Sequence, residues 1–223
     1  YTVILEEPAV AVFLLYLAYM GLDALSLQEE RSFLSGKLGS RLVGQNVTLW
    51  DDGLDPRGLP QSFDFEGVAK RPVYFFRRGV AEAVVYDSFT GNREGKPSTG
   101  HALPAGATFG PLPMNIFLAT GDSSLKEMIA STERGVLITT LHYTNILEPK
   151  RTLLTGMTRH GTFLIEGGRI VRPVKNLRFT QSAIEALNRV NAIGRNAKIQ
   201  RESLALTVPA VRVEGFSFTG ATR

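Results

Sequence analysis

The sequence of 223 residues contains no cysteine, one tryptophan and three histidines. Without cysteine there can be no disulfide bond, thiolate metal ligand or cysteine nucleophile, and the composition fits a reducing compartment. We therefore expect a cytoplasmic protein. The three histidines, His101, His142 and His160, lie far apart, and none has a second metal-ligating residue at helical or zinc-finger spacing. The sequence offers no local metal motif.

The sequence also lacks a cluster of basic residues. The chain has 25 basic and 21 acidic residues, a formal net charge of +4, and its adjacent basic residues form isolated pairs at 70–71, 77–78 and 150–151. A nucleic-acid-binding surface gathers basic residues on one face, often with aromatic side chains for base stacking. We therefore expect no nucleic-acid partner.

A run without charge occupies residues 8–22, where nearly every side chain is apolar. A helix that spans a bilayer needs about 20 apolar residues, so this run of about 15 is short for a membrane. Its apolar side chains would cover all faces of a helix, which is typical of a helix buried in a protein core. We expect a core helix and no membrane partner. Such a helix would tolerate a charge only with a partner or a metal.

Apolar residues alternate with polar ones in several short stretches bounded by glycine and proline, which predicts a strand-rich domain. The predicted strands are 3–5, 47–50, 73–76, 80–86, 114–118, 136–141, 162–166, 169–172, 174–179 and 211–213. Gly167 and Gly168 supply the positive φ that a tight hairpin turn requires. We predict one α+β domain, 1–223, with a mixed or antiparallel sheet, a buried N-terminal helix and a few short helices.

Two of the short helices have start signals of the Ser-x-x-Glu type, in which the serine caps the backbone and the glutamate reaches back. These are Ser124 with Glu127, before a helix at 128–131, and Ser182 with Glu185, before a helix at 186–193. Residues 91–113 are rich in glycine and proline and predict an irregular loop of the kind that carries binding residues.

The chain lacks the motifs of common catalytic sites. It has no Gly-x-Ser-x-Gly elbow, phosphate-binding loop or dinucleotide fingerprint. The acidic segment 51–55, with Asp64 and Glu66 after it, does not have the spacing of a calcium-binding EF-hand and is typical of a turn. Sequence motifs alone therefore give no indication of a catalytic site.

Residues 153–179, LLTGMTRHGTFLIEGGRIVRPVKNLRF, resemble the C-terminal domain of the TldD/PmbA (TldE) family, long described as modulators of DNA gyrase and now regarded as metalloproteases. Residues 32–39, 47–52, 63–68 and 98–100 follow the same family in order and approximate spacing. The resemblance covers essentially the whole chain. Members of this family carry a further N-terminal domain, and the chain begins without methionine, so we expect a fragment of a longer protein.

The resemblance also bears on metal chemistry. The zinc-bearing TldD branch has a His-Glu-x-x-x-His helix after its first strand and a cysteine near the C-terminus. In this sequence Leu15 and Met20 stand where the two histidines would be, and Tyr16 stands where the general base would be. Residues 201–209 contain no cysteine. The chain resembles the PmbA/TldE branch, which implies no catalytic residue and no cofactor here, with zinc only in a partner subunit.

The function implied is that of a non-catalytic subunit in a TldD/TldE-type metalloprotease complex that processes unfolded peptides. Its partner would be a TldD-type zinc subunit or a second copy of this chain. Ser98, Thr99, Gly100 and His101 lie in a segment shared with the family and are the candidate peptide-binding residues. His101 departs from the asparagine that the family pattern leads us to expect after Thr-Gly.

Two alternatives stay open. The first is a stand-alone metallopeptidase or hydrolase with a non-standard site, assembled by folding from His101, Asp51, Asp64 or Glu66. The second is a binding module for DNA gyrase. Whether the chain is itself an enzyme is therefore not decided by its sequence.

Overall fold

The computed structural model describes residues 1–221, so the last two residues of the predicted domain lie outside the described part. Within it the strands are β1 Thr2–Leu5, β2 Leu49–Asp51, β3 Val73–Arg77, β4 Val80–Ala81, β5 Asn115–Leu118, β6 Arg134–Glu148, β7 Leu153–Glu166, β8 Arg169–Pro173, β9 Leu177–Ser182, β10 Val190–Arg201, β11 Ala205–Val213 and β12 Phe218–Ala221. The α-helices are α1 Glu7–Tyr19, α2 Ala24–Gln28, α3 Ser88–Glu94, α4 Leu125–Ala130 and α5 Ala183–Asn188, with a 3₁₀ turn at Pro149–Arg151.

All the strands belong to one mixed sheet. Its order is β12-β9-β7-β6-β1-β11-β5-β2-β3-β4, with β10 on β11 and β8 on β7. The pairs β1–β6 and β11–β5 are parallel, and the remaining pairs are antiparallel. The predicted α+β class with a strand-rich mixed sheet is confirmed.

The uncharged run forms α1, which begins after Glu6 with a proline in its first turn and ends before Met20. Proline fits that first turn because its missing N–H has no helical acceptor there. The helix packs on β6, β10 and β11, and most of its residues are buried. Phe13 lies 6.3 Å from Phe179 and 6.0 Å from Phe216 between ring centroids. The prediction of a buried N-terminal helix is confirmed. Among the described residues, no helix has the length and apolar character needed to cross a membrane.

Two local signals predicted the structure correctly, and the Ser182–Glu185 signal did so in part, because Ser182 caps α5 by accepting the Glu185 N–H but the reciprocal bond is formed only in α4 among these two helices. Glu166 pairs with Arg169 across a turn in which Gly167 and Gly168 have φ values of +54° and +73°. Ser124 and Glu127 form a reciprocal capping box at the start of α4.

Several predicted elements differ in extent: the strands predicted at 136–141, 162–166 and 211–213 are parts of the longer β6, β7 and β11, the helix predicted at 128–131 is α4, and the loop predicted at 91–113 begins inside α3. In two further cases tertiary pairing overrides the local pattern. The strand expected at 80–86 ends at Ala81; the chain then leaves the sheet, and Val85 pairs instead with the segment that follows α1. The helix expected to run to residue 193 ends at Asn188, since residues 190–193 pair with β11. Strands β10 and β12 were not predicted.

An aromatic column crosses the strands β3, β2 and β5. Tyr74 stacks on Trp50 with centroids 5.8 Å apart, and Trp50 stacks on Phe117 at 5.4 Å. The Arg77 guanidinium lies 3.6 Å from the Tyr74 ring centre, and that of Arg57 lies 5.4 Å from the Phe117 ring centre. Stacked aromatic pairs and cation–π contacts each contribute about 0.5–1.5 kcal/mol. These contacts stabilise the association of β3, β2 and β5.

The burial of α1 gives a direct stability prediction. Leu14 is 1% exposed, so Leu14→Ala leaves a cavity in the core and is expected to lower the free energy of unfolding by about 2–5 kcal/mol. The matched control is Leu38→Ala, at a position that is 39% exposed, where we expect a change within about 1 kcal/mol. Urea denaturation, monitored by circular dichroism, measures the free energy of unfolding of both variants. Equal losses in the two variants would contradict the core placement of α1.

Candidate functional site

The positions that the family resemblance assigns to two zinc ligands and a general base lie in α1 and at the residue after it. Leu15 is 8% exposed and Met20 is 2% exposed, while Tyr16 is half-buried. Zinc requires nitrogen, thiolate or carboxylate donors, and these side chains are an alkyl group, a thioether and a phenol. The donor set at these positions does not fit zinc.

Tyr16 is not suited to act as a base. Burial raises its pKa above the ordinary value for tyrosine, and the neighbouring Tyr19 and Glu202 raise it further. Its ring meets the Tyr19 ring edge to face at a centroid distance of 6.3 Å. A phenol with a raised pKa is protonated at neutral pH, so Tyr16 contributes packing and a hydroxyl group. Across the described residues, no three histidine, cysteine or acidic side chains are grouped so that they could hold a metal ion.

The segment 98–101 is fixed against Tyr86. Thr99 Oγ1 accepts the Tyr86 backbone N–H at 2.7 Å and donates to the Tyr86 carbonyl at 3.0 Å. Ser98 Oγ also donates to that carbonyl, at 3.2 Å. Gly100 has φ +77°, and a Cβ there would lie 2.6 Å from the Ala69 carbonyl oxygen. The glycine is required both by its backbone angle and by the close approach.

His101 lies at the centre of a buried polar cluster. Its Nε2 is 2.8 Å from Asp51 Oδ1, its Nδ1 is 2.9 Å from Thr99 Oγ1, and the side chains of His101 and Asp51 have no exposed surface. The second Asp51 oxygen accepts the Asn115 backbone N–H at 2.7 Å. Lys70 is 5% exposed; burial lowers its pKa, and Asp51 and Asp64 oppose that change.

Asp64 holds backbone in the same region. One of its oxygens accepts the N–H groups of Glu66 and Val68, and the other accepts that of Ala102, all at 2.9 Å. Glu66 is exposed and accepts the backbone N–H of Ser88 at 3.0 Å. Folding therefore brings Asp51 and His101 into contact and places Asp64 beside Ala102, the residue after His101. Glu66 does not join them, because its carboxylate contacts the backbone at Ser88.

This cluster does not favour the stand-alone hydrolase. Asp51 and His101 form hydrogen bonds inside the protein and are shielded from solvent, so they cannot meet a substrate. Of the four candidate peptide-binding residues, Gly100 and His101 are buried, whereas Ser98 and Thr99 are half-buried. The role of the cluster in the fold is to attach the loop to β2.

A cavity of about 250 Å³ opens at the C-terminal end of α1. Tyr19 and Asp23 line one side of it, and residues 108–112 line the other. Leu112 in its wall donates its N–H to the His101 carbonyl at 3.1 Å, which connects the cavity to the loop at 98–101. Sequence reasoning missed Asp23, although it is the first charged residue after the uncharged run.

The glycine in this loop allows a matched test. Gly100→Ala combines a positive φ with a backbone clash, and we expect it to lower the free energy of unfolding by more than about 2 kcal/mol. Gly95→Ala also has a positive φ, +65°, but no atom lies within 4 Å of its new Cβ, so a loss of about 1 kcal/mol is expected. Chemical denaturation measures the difference. A smaller loss at Gly100 than at Gly95 would contradict the described close approach.

Comparison with solved structures identifies the fold. TldE from Thermococcus kodakarensis superimposes with a TM-score of 0.88 at 22% identity, over 98% of this chain and 50% of that one. A protein described as a modulator of a DNA gyrase from Thermotoga maritima gives a TM-score of 0.87 at 23% identity, over 98% and 49%. At these identities the likeness concerns the fold alone.

Proteins with similar sequences include members of the same family. An uncharacterized protein of Methanocaldococcus jannaschii is 37% identical over 101 residues, 45% of this chain and 24% of the relative. A metalloprotease TldD homologue of Haemophilus influenzae is 24% identical over 186 residues, 80% of this chain and 37% of the relative. The chain thus spans less than half the length of these relatives. The profile of the PmbA/TldA metallopeptidase C-terminal domain matches residues 1–220, and the chain belongs to that family.

Proposed function

We propose that this chain is a metal-free, non-catalytic subunit of a TldD/TldE-type metalloprotease complex, in which it holds an unfolded peptide that a zinc-bearing partner cuts. The observation that carries the proposal is the chemistry of α1 and Met20. Three side chains without zinc-ligating groups occupy the positions that the family resemblance assigns to two ligands and a general base. A catalytic zinc site needs three protein ligands and one open position for water.

The packing of these side chains supports the same interpretation. Leu15 and Met20 are buried in the main hydrophobic core rather than exposed around an empty site. Apolar burial of side chains of this size contributes about 1.5–3 kcal/mol each. The helix that would carry the metal chemistry therefore stabilises the core in this chain.

An extended peptide can bind to such a domain through its own backbone. One end of the sheet is β12, and β8 pairs only with β7 among the described strands, whereas the backbone of β4 at the other end is already hydrogen-bonded to residues 39–40. A strand at a sheet edge presents backbone N–H and C=O groups, which bind an added peptide strand with little dependence on its sequence. This mode of binding suits a subunit that accepts unfolded peptides and leaves cleavage to its partner.

The proposal assigns the partner by chemistry. It is a homologous subunit that carries the His-Glu-x-x-x-His helix, with a second copy of this chain as the other possible assembly. The curated relatives include proteins named as metalloprotease TldD homologues, which are candidates for the catalytic side of such a pair.

Metal content and proteolysis together test this function. The purified chain is expected to retain far less than one zinc per chain after dialysis, and to cleave an unfolded substrate such as reduced casein only when a TldD-type subunit is added. Elemental analysis and gel-based cleavage assays measure these outcomes. One zinc per chain, lost on substitution of His101 or His142 by alanine, would overturn the proposal, as would zinc-dependent cleavage by this chain alone.

Restoring the family residues provides a second test. The variant Leu15→His, Tyr16→Glu, Met20→His places polar groups at two buried positions and one half-buried position, in a chain that has no cysteine to complete a site. We expect weak zinc binding and a loss of at least about 3 kcal/mol, which for a domain of this size lowers Tm by roughly 10 °C. Tight stoichiometric zinc with unchanged Tm would show that the site is intact apart from these residues. The conservative control is Leu15→Met, Tyr16→Phe.

A further inference from the structure

The cavity at the end of α1 contains a buried acid that the proposed function does not use. Asp23 is 7% exposed and caps α2, with its Oδ1 accepting the Ser26 backbone N–H at 2.7 Å. Within residues 1–221 the carboxylate forms no ion pair at 4 Å or less. A buried carboxylate without a cation is costly, and a cationic ligand would offset that cost.

The groups around Asp23 are arranged for such a ligand. Tyr19 and Phe109 line the same cavity as Asp23 and are 39% and 75% exposed, so the cavity presents aromatic surface as well as the carboxylate. Burial raises the pKa of Asp23, the hydrogen bonds from the Ser26 side chain and backbone lower it, and the charges of Arg31 and Glu29 have smaller, opposite effects. Arg31 also lines the cavity, but its guanidinium forms its ion pair with Glu29, at 2.6 Å, and not with Asp23. Aromatic faces next to a carboxylate attract organic cations.

We propose that this cavity binds an alkylammonium group, the chemistry of a lysine side chain. Its volume of about 250 Å³ is below the roughly 300–1,000 Å³ of sites for drug-sized ligands, so it suits one side chain. An ammonium is favoured over a guanidinium because Oδ1 already accepts a backbone hydrogen bond, which disfavours the bidentate pairing that arginine forms. Assigning the ammonium to a bound peptide rests on the proposed function, whereas the cation site itself does not.

Titration with a small amine tests the site directly. We expect n-butylammonium chloride to shift the backbone amide resonances of Ser26 and Gly110 saturably, with an affinity at least tenfold higher than that of 1-butanol. Sodium butyrate, of the same length and opposite charge, is expected to produce no saturable shift. Equal affinities for n-butylammonium and 1-butanol would overturn the proposal, since the carboxylate would then contribute nothing.

Variants locate the binding. Asp23→Asn keeps a side-chain oxygen for the helix cap, because asparagine caps helices as well as aspartate does, and it is expected to weaken n-butylammonium binding at least tenfold. The matched control is Asp87→Asn, which makes the same change at the cap of α3 and is expected to leave binding within twofold. Unchanged affinity in a folded Asp23→Asn variant would contradict the assignment.

Two further substitutions keep the test decisive if Asp23→Asn fails to fold. Arg31→Gln removes a nearby positive charge and is expected to strengthen n-butylammonium binding severalfold. Phe109→Ala is expected to weaken it a few-fold through loss of the aromatic contact. No change in either variant would overturn the proposal. Neither titration depends on zinc content or proteolysis, so this inference and the proposed function can fail separately.

Discussion

Burial of most of α1 is the constraint on which the rest of the molecule depends: Val12 and Tyr16 are half-buried, and the other residues from Ala9 to Ala18 are buried. A helix enclosed by the sheet and α5 cannot carry an unpaired charge, since each would lose its hydration without compensation. Its sequence is therefore restricted to apolar and aromatic residues from Pro8 to Tyr19. The first charged residue after the helix is Asp23, four residues beyond its end at Tyr19. Residues 8–19 contain no histidine, cysteine or carboxylate, and the polar clusters described above lie in the loops beyond the helix.

Those loops are ordered by hydrogen bonds as well as by apolar packing, since Val84, Val85 and Tyr86 belong to the main hydrophobic core. The Tyr86 backbone N–H donates to the Thr99 hydroxyl, and Asp51 of β2 forms a hydrogen bond with His101. Asp64 accepts three backbone N–H groups. Removing one member would leave buried polar partners unsatisfied, which costs more than the bond itself contributes. The wall of the cavity is connected to this network through the His101 carbonyl, so its shape depends on groups remote from the cavity.

The sequence predicts features that depend on neighbouring residues: the Gly167–Gly168 turn, the Ser124 capping box and the strands with strict alternation. It does not predict contacts between distant residues. The Asp51–His101 hydrogen bond joins positions 50 residues apart, and nothing in either local pattern indicates it. The β10 segment shows weak alternation because bulges shift its register against β11. Asp23 could have been noticed as the end of the uncharged run, but its cavity requires residues 108–112.

The aromatic column has a consequence for how this protein can be observed. Trp50 is the single tryptophan of the chain, and its indole is stacked between Tyr74 and Phe117. Intrinsic fluorescence excited at the indole therefore reports on one place, where β2 is held between β3 and β5. Comparison of that signal with the circular dichroism of the whole sheet separates detachment of the β2–β3–β4 edge from cooperative unfolding.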